Sequence, residues 1–184
     1  MILPIVAYGD PILKKEAEEI DSDYPFLTEL IENMYETMYE AEGVGLAAPQ
    51  IGKSIRLFIV DASPFEEEDK ALKGFKKTFI NPIIIEESGK EWGFNEGCLS
   101  IPGVREDVMR QPEIVIEYHD ENFNLVEEKY KGIAARIIQH EYDHIEGILF
   151  TDKINPLKRR LLKAKLNNIT KGNVKVNYRM KFPK

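Results

Sequence analysis

Cysteine is almost absent from this sequence. Cys98 stands alone among 184 residues, which excludes an intramolecular disulfide and any dependence on an oxidising compartment. Histidine is nearly as scarce, at three. No apolar run approaches the roughly 18 residues that a membrane span requires. The opening stretch, Met1–Asp10, lacks both the basic n-region and the long apolar h-region of a secretory leader, and it is not an Arg/Ser-rich transit peptide. Internal repeats and low-complexity segments are missing too. These absences predict a reduced, cytoplasmic protein with neither a membrane nor DNA as partner.

What is present suffices for a core. Hydrophobic residues make up 43% and charged residues 31% of a chain whose length fits a single domain over 1–184. The net charge of −7 is unevenly spread. Residues 151–184 hold eleven Lys/Arg against one acid, Asp152, for a net +10, whereas residues 1–150 carry −17.

Asp10 followed by Pro11 predicts a short helix to Glu19, with Asp10 as its cap. Apolar residues at three- and four-residue steps (Phe26, Leu27, Leu30, Ile31, Met34, Tyr35, Met38) predict an amphipathic helix over 25–42, stopped by Gly43. Residues 55–60, 79–85 and 114–118 read as strands, and 64–77 as a charged surface excursion. A helix is expected over 130–146, ended by Gly147, and another over 155–169, with Leu157, Leu161 and Leu166 packing inward. Alternation over 174–182 predicts a half-buried terminal strand. The whole is α+β, with β-strands around a central helix and a basic C-terminal helix and strand over 151–184.

His140-Glu-Tyr-Asp-His144 falls on the third of these helices. Residues four apart lie about 5–6 Å from each other on one helix face, so both imidazoles can grip one ion. Glu141, turned about 100° away, can take a proton from water at that ion. The plain reading is two surface histidines beside a solvated glutamate. A catalytic site of this kind needs a third protein ligand, for which Cys98, His119 or a carboxylate are the candidates. His119, in His-Asp-Glu-Asn, reads as a solvated turn residue. A lone cysteine is often a small core hydrophobe, but Cys98 lies in the glycine- and proline-stiffened stretch 96–103. Ligands of this type suit Zn²⁺, Fe²⁺, Co²⁺ and Ni²⁺ alike.

The sequence resembles the peptide deformylase family in three motifs, present in order: Gly43-Val-Gly-Leu-Ala-Ala-Pro-Gln50, Glu96-Gly-Cys-Leu-Ser100 and Gln139-His-Glu-Tyr-Asp-His-Ile-Glu-Gly147. The likeness runs from about Ile2 into the helix after Pro156. Ile145 stands where leucine is usual, and the excursion over 64–77 is longer than in compact members. The resemblance implies a metal-dependent hydrolase of bacterial type that removes the N-formyl group from the initiator methionine of nascent polypeptides, releasing formate. It makes Cys98, His140 and His144 the ligands of one divalent ion, with Fe²⁺ favoured physiologically. Glu141 becomes the general acid/base, with the Gln50 side chain and the Leu99 backbone N–H as donors to the developing oxyanion. Substrate contacts are expected along Gly43, Val44 and Gly45, at Glu96 and Gly97, and at Arg105 near the peptide's carboxyl side. The two glycines of the first motif let an extended peptide approach the main chain closely. Val44, Ile133 and Ile137 are candidates for the methionine pocket.

Two other readings remain open from the residues alone. An HExxH metallopeptidase would recruit a downstream histidine or glutamate, and no histidine follows His144. A non-enzymatic metal-binding module would have no use for Glu141. The basic helix, with Arg159, Arg160 and Lys163 on one face, is either a solvated counterweight to the acidic body or a surface that docks on the ribosome.

Overall fold

A computed structural model describes the chain from Met1 to Lys184. Its order is β1 (Ile5–Val6), α1 (Leu27–Glu40), β2 (Gly45–Ala47), β3 (Leu57–Asp61), β4 (Lys76–Ser88), β5 (Trp92–Cys98), β6 (Ile101–Arg110), β7 (Glu113–His119), β8 (Leu125–Lys131), α2 (Gly132–Ile145), α3 (Pro156–Thr170) and β9 (Met180–Lys181). An antiparallel sheet of order β2-β3-β4-β7-β8 forms the centre. A separate β5–β6 hairpin and a short parallel β1–β9 pair flank it. The arrangement is the α+β expected, with α2 at its middle. No helix is long and apolar enough to cross a membrane.

The sheet is covered on both faces, and β3 shows why its sequence is apolar throughout. Side chains alternate across a strand. Phe58 and Val60 accordingly join Phe79, Ile114, Ile116 and the α2 residues Ala134, Ala135 and Ile138. Leu57 and Ile59 face the other way, to Ile31, Met34, Tyr35 and Met38 of α1. A third apolar group links Val104 and Val108 of β6 to Leu149, Phe150, Leu166 and Ile169. The ligand-bearing helix is thus pressed against the sheet by its apolar stripe, which fixes where the opposite stripe points.

Several expectations are corrected. The first helix shrinks to a 3-10 turn, Pro11–Lys14; Asp10 does cap it, accepting Ile12 N–H at 3.0 Å. The chain then leaves helical geometry because Ala17 N–H donates to Ile145 C=O and Arg56 N–H to Glu18 C=O, both at 2.8 Å. The residue that turns the chain after α1 is Glu42, at φ +56°, and not Gly43. Tyr130 and Lys131 belong to β8, so α2 starts two residues later than expected, while Gly147 ends it at φ +73°. Asn155 is the cap of α3, accepting Leu157 N–H at 2.8 Å. Leu166 is buried there, but Leu157 and Leu161 are 64% and 76% exposed, because α3 packs on the body through the face carrying Leu162, Leu166 and Ile169, and they lie on the other side of the helix. The excursion over 64–77 contains two 3-10 turns, one burying Leu72, before β4 begins at Lys76. The terminal stretch keeps its alternating burial over 174–182, yet only Met180 and Lys181 pair, with Ile5 and Val6. His119 closes β7 half-buried against Phe123, not in a solvated turn.

Candidate active site

Helix α2 presents His140 and His144 on one face, with ring centroids 5.1 Å apart. The end of β5 brings Cys98 to them: its Sγ lies 3.4 Å from His144 Nε2. One ligand atom from each of these three residues falls within 4.8 Å of the others. This is the thiol-plus-two-imidazole set that a divalent transition ion takes with one position left for water. His119 is not part of it.

The state of the donors fits an ion. Burial lowers the pKa of His144 well below the usual imidazole range, keeping the ring neutral as a ligand must be, and its Nδ1 has no partner. His140 Nδ1 is held by Glu96 at 2.8 Å, which leaves Nε2 for an ion. Burial opposes protonation of His140, but hydrogen bonds to Cys98 and Glu96 override it and raise the imidazole to about 10. Cys98 and Glu96 on either side of the ring thus make this a place that favours positive charge.

Glu96 is the centre of a buried charge network. Its carboxylate accepts from Arg110 at 2.8 and 3.0 Å and from Arg136 at 2.8 Å, besides its bond to His140. Arg110 also donates to Asp143 at 2.7 Å, so two carboxylates and two guanidiniums balance each other under the helix. Burial works against ionisation of Glu96, yet the bonds from His140 and Arg110 hold its carboxyl far below the usual carboxylate range. With both oxygens engaged, the Glu96 carboxylate supports the ligand His140, while the residue also borders the cleft.

Glu141 is 4% exposed, and its Oε2 has no hydrogen-bond partner. Burial pushes its carboxyl up to about 7, the range in which a group can both take and return a proton. Gly45 makes room for it: a Cβ there would sit 2.4 Å from Glu141 Oε1. Gly43 similarly leaves space for Leu99, whose Cδ1 would lie 2.8 Å from an added Cβ, and Gly97 for Arg105. Gln50 is oriented by Ala47, whose N–H donates to Gln50 Oε1 at 2.9 Å. That turns Nε2 toward Ser100 Oγ at 3.2 Å and Cys98 Sγ at 3.4 Å.

These side chains open into a cleft of about 640 Å³. Gly43, Val44, Gly45, Gln50, Gly97, Leu99 and Ile137 border it together with His140 and Glu141. Arg105 sits exposed at its rim, tied to the Asn95 side chain at 2.8 Å and to the Asn95 carbonyl at 3.0 Å. Ile133 does not border the cleft; it packs half-buried against the sheet core, one helical turn away. Sequence reasoning missed Arg110, which follows the charged run Arg105-Glu-Asp107, Arg136, a lone cation in the apolar stretch from Ile133 to Ile138, and also the cleft wall formed by Lys175–Tyr178.

The family model described as polypeptide deformylase matches residues 2–160. A curated peptide deformylase of Christiangramia forsetii is 64% identical, the match covering all of this chain and 97% of the relative; one of Salinibacter ruber is 43% identical over 97% of this chain and 93% of its own. Among solved structures, the peptide deformylase of Thermus thermophilus superposes with a TM-score of 0.83 at 40% identity, covering 94% of this chain and 99% of that one. That of Plasmodium falciparum gives 0.82 at 37%, covering 91% and 95%. With more than four-fifths of its length matched by the family model and full-length relatives at this identity, the chain belongs to the polypeptide deformylase family.

Proposed function

We propose that this chain hydrolyses the formyl group from N-formylmethionyl nascent polypeptides, releasing formate, with residues 1–184 acting as one catalytic domain. The observation that carries the reading is the meeting, in one cleft, of the Cys98/His140/His144 donor set and the buried, unpartnered carboxylate of Glu141. When bound, a divalent ion supplies the Lewis acidity that lowers the pKa of water toward neutrality. Glu141 accepts the proton of the attacking water and hands it to the leaving amine. The Gln50 amide and the Leu99 backbone N–H donate to the formyl oxygen as it gains charge, each donor being worth about 3 kcal/mol. The substrate's own backbone lies along Gly43–Gly45. In support, β2 is an edge strand, paired with β3 on one side only, so its free ladder can take an extended peptide. Val44 and Ile137 line the pocket for the methionine side chain, and Arg105 meets the peptide beyond it.

Ferrous iron is the ion we favour, with Zn²⁺, Ni²⁺ and Co²⁺ able to occupy the same donors; metal analysis of protein purified without oxygen tests this. The cytoplasm is the setting we favour. Helix α3 is the surface we assign to the ribosome, since it exposes Arg160, Lys163, Leu157 and Leu161 on a helix whose charge opposes that of the body. Arg159 is already paired with Asp152 at 3.2 Å, so Arg160→Glu with Lys163→Glu is the cleaner test. The pair should abolish salt-sensitive ribosome binding without changing turnover of small peptides; unchanged binding discards the assignment.

The deciding experiment offers formylated and unformylated methionyl peptides to metal-replete protein. Formate release without chain cleavage is expected, whereas cleavage would favour a metallopeptidase. Glu141→Ala should keep its metal and lose turnover; a variant with every activity intact would favour a binding module.

A further inference from the structure

Residues 161–184 lie beyond the stretch that the family model matches, yet Lys175–Tyr178 form one wall of the cleft. This strap leaves α3 where Asn173 N–H donates to Asn168 C=O at 2.8 Å. It enters β9 through bonds from Ile5 N–H to Arg179 C=O and from Ala7 N–H to Lys181 C=O, both 2.9 Å. Tyr178 therefore sits two residues ahead of a strand pinned to β1. Its ring packs against the α1 side of the core, and its hydroxyl donates to the Leu99 carbonyl at 2.7 Å, across 79 residues of sequence.

Leu99 lies between the ligand Cys98 and Ser100. Ser100 is fixed by two bonds of its own, from Gln50 Nε2 to Oγ at 3.2 Å and from Tyr8 N–H to its carbonyl at 2.8 Å. The β5–β6 ladder changes register between Gly97 and Cys98, so regular strand pairing does not set the Leu99 backbone. A bond from outside the hairpin does. An oxyanion donor is effective only within about 2.7–3.1 Å of its target, and a small rotation at Leu99 would spend that tolerance.

We propose that Tyr178 is a positioning residue for deformylation: through the Leu99 carbonyl it holds the backbone that presents the Leu99 N–H and the Cys98 sulfur to the cleft. The inference rests on the deformylase reading above. It makes the C-terminal strap a working wall of the active site.

The test compares the full-length, metal-replete wild type with Tyr178→Phe and with Thr170→Val. The first keeps the ring and removes only the hydroxyl. The second removes a hydroxyl outside the cleft that lies 3.2 Å from the Leu166 carbonyl and 3.3 Å from the Tyr8 carbonyl. Tyr178→Phe should lower kcat by about three- to ten-fold, with KM changed less than about twofold and with metal content and Tm as in the wild type. Thr170→Val should keep the wild-type kcat. The proposal is overturned if Tyr178→Phe turns over within twofold of wild type, if Thr170→Val loses as much, or if the loss vanishes once rates are divided by bound metal. A wild type that releases no formate would sink the deformylase reading and this inference together, whereas an active wild type beside an equally active Tyr178→Phe sinks only the inference.

Discussion

Replacing Gly45 with alanine puts a methyl group where the structure has no space for one. The added carbon would lie 2.4 Å from Glu141 Oε1 and 2.8 Å from both Cδ and Cγ. Carbon atoms rest about 3.5–4.0 Å apart, so something must withdraw by about 0.7–1.2 Å. Strand β2 resists, because Gly45 is buried and pairs with Val60 in the central sheet. Glu141, also buried, must then move within a packed interior. Overpacking of this kind costs about 1–3 kcal/mol, which for a chain of this size lowers Tm by about 2–12 °C. A catalytic group displaced by about 1 Å loses on the order of 100-fold in rate. Cys98, His140 and His144 are not among the clashing atoms, so metal content should be unchanged. Formate release, thermal unfolding and metal-to-protein ratio measured on one preparation separate these effects. A Gly45→Ala protein with kcat within threefold of wild type would refute the claim that the Glu141 carboxylate works where the structure puts it.

Two further perturbations probe the surroundings of the site. Arg110→Met removes the cation that Glu96 and Asp143 share; leaving two buried carboxylates undercompensated should cost about 3–5 kcal/mol by denaturant unfolding, and a loss under 1 kcal/mol would show the network to be incidental. The Asp152 carboxyl, despite partial burial, is held below its usual range by Lys14, the Leu149 N–H and Arg159. A depressed carboxyl contributes stability that is present above its unfolded pKa of about 3.9 and is lost as pH falls through the folded value. Asp152→Asn should therefore flatten the fall of Tm below about pH 4, by on the order of 1 kcal/mol or less; an unaltered profile would remove Asp152 from the account.

Much of the architecture was legible because periodicity carried it. The 3.6-residue stripe of α2 and the Asn155-Pro156 start of α3 mark helices whose bounds the structure reproduces within two residues. The β5–β6 hairpin was not legible. Along β6 only Ile101, Val104, Val108 and Arg110 are buried, and with an arginine among them the strand shows no clean alternation. Strand β8 is an edge strand in which Glu127, Glu128, Lys129 and Lys131 leave little apolar signal, so it reads as surface. The site divides in the same way. His140, Glu141 and His144 announce themselves by spacing on one helix, whereas the partner of His140 does not. Glu96 lies 44 residues away, and only the fold shows its carboxylate turned inward to two arginines. The exposure of Leu157 and Leu161 follows from the helical wheel itself. At about 100° per residue they lie about 140–180° from Leu166, so a helix that packs Leu162, Leu166 and Ile169 inward turns them to solvent. Expecting all three leucines to pack inward asked one helix to bury two opposite faces.

The central claim is that Cys98, His140 and His144 together hold the one ion on which formyl hydrolysis depends. Titrating metal-stripped protein with Fe²⁺ in the absence of oxygen, while following formate release from a formylmethionyl peptide, tests it most directly. The account predicts no turnover without metal, full turnover at one equivalent in the wild type, and none restored in Cys98→Ala at the same concentration. Turnover by the stripped protein, or a Cys98→Ala variant restored at one equivalent, would contradict it.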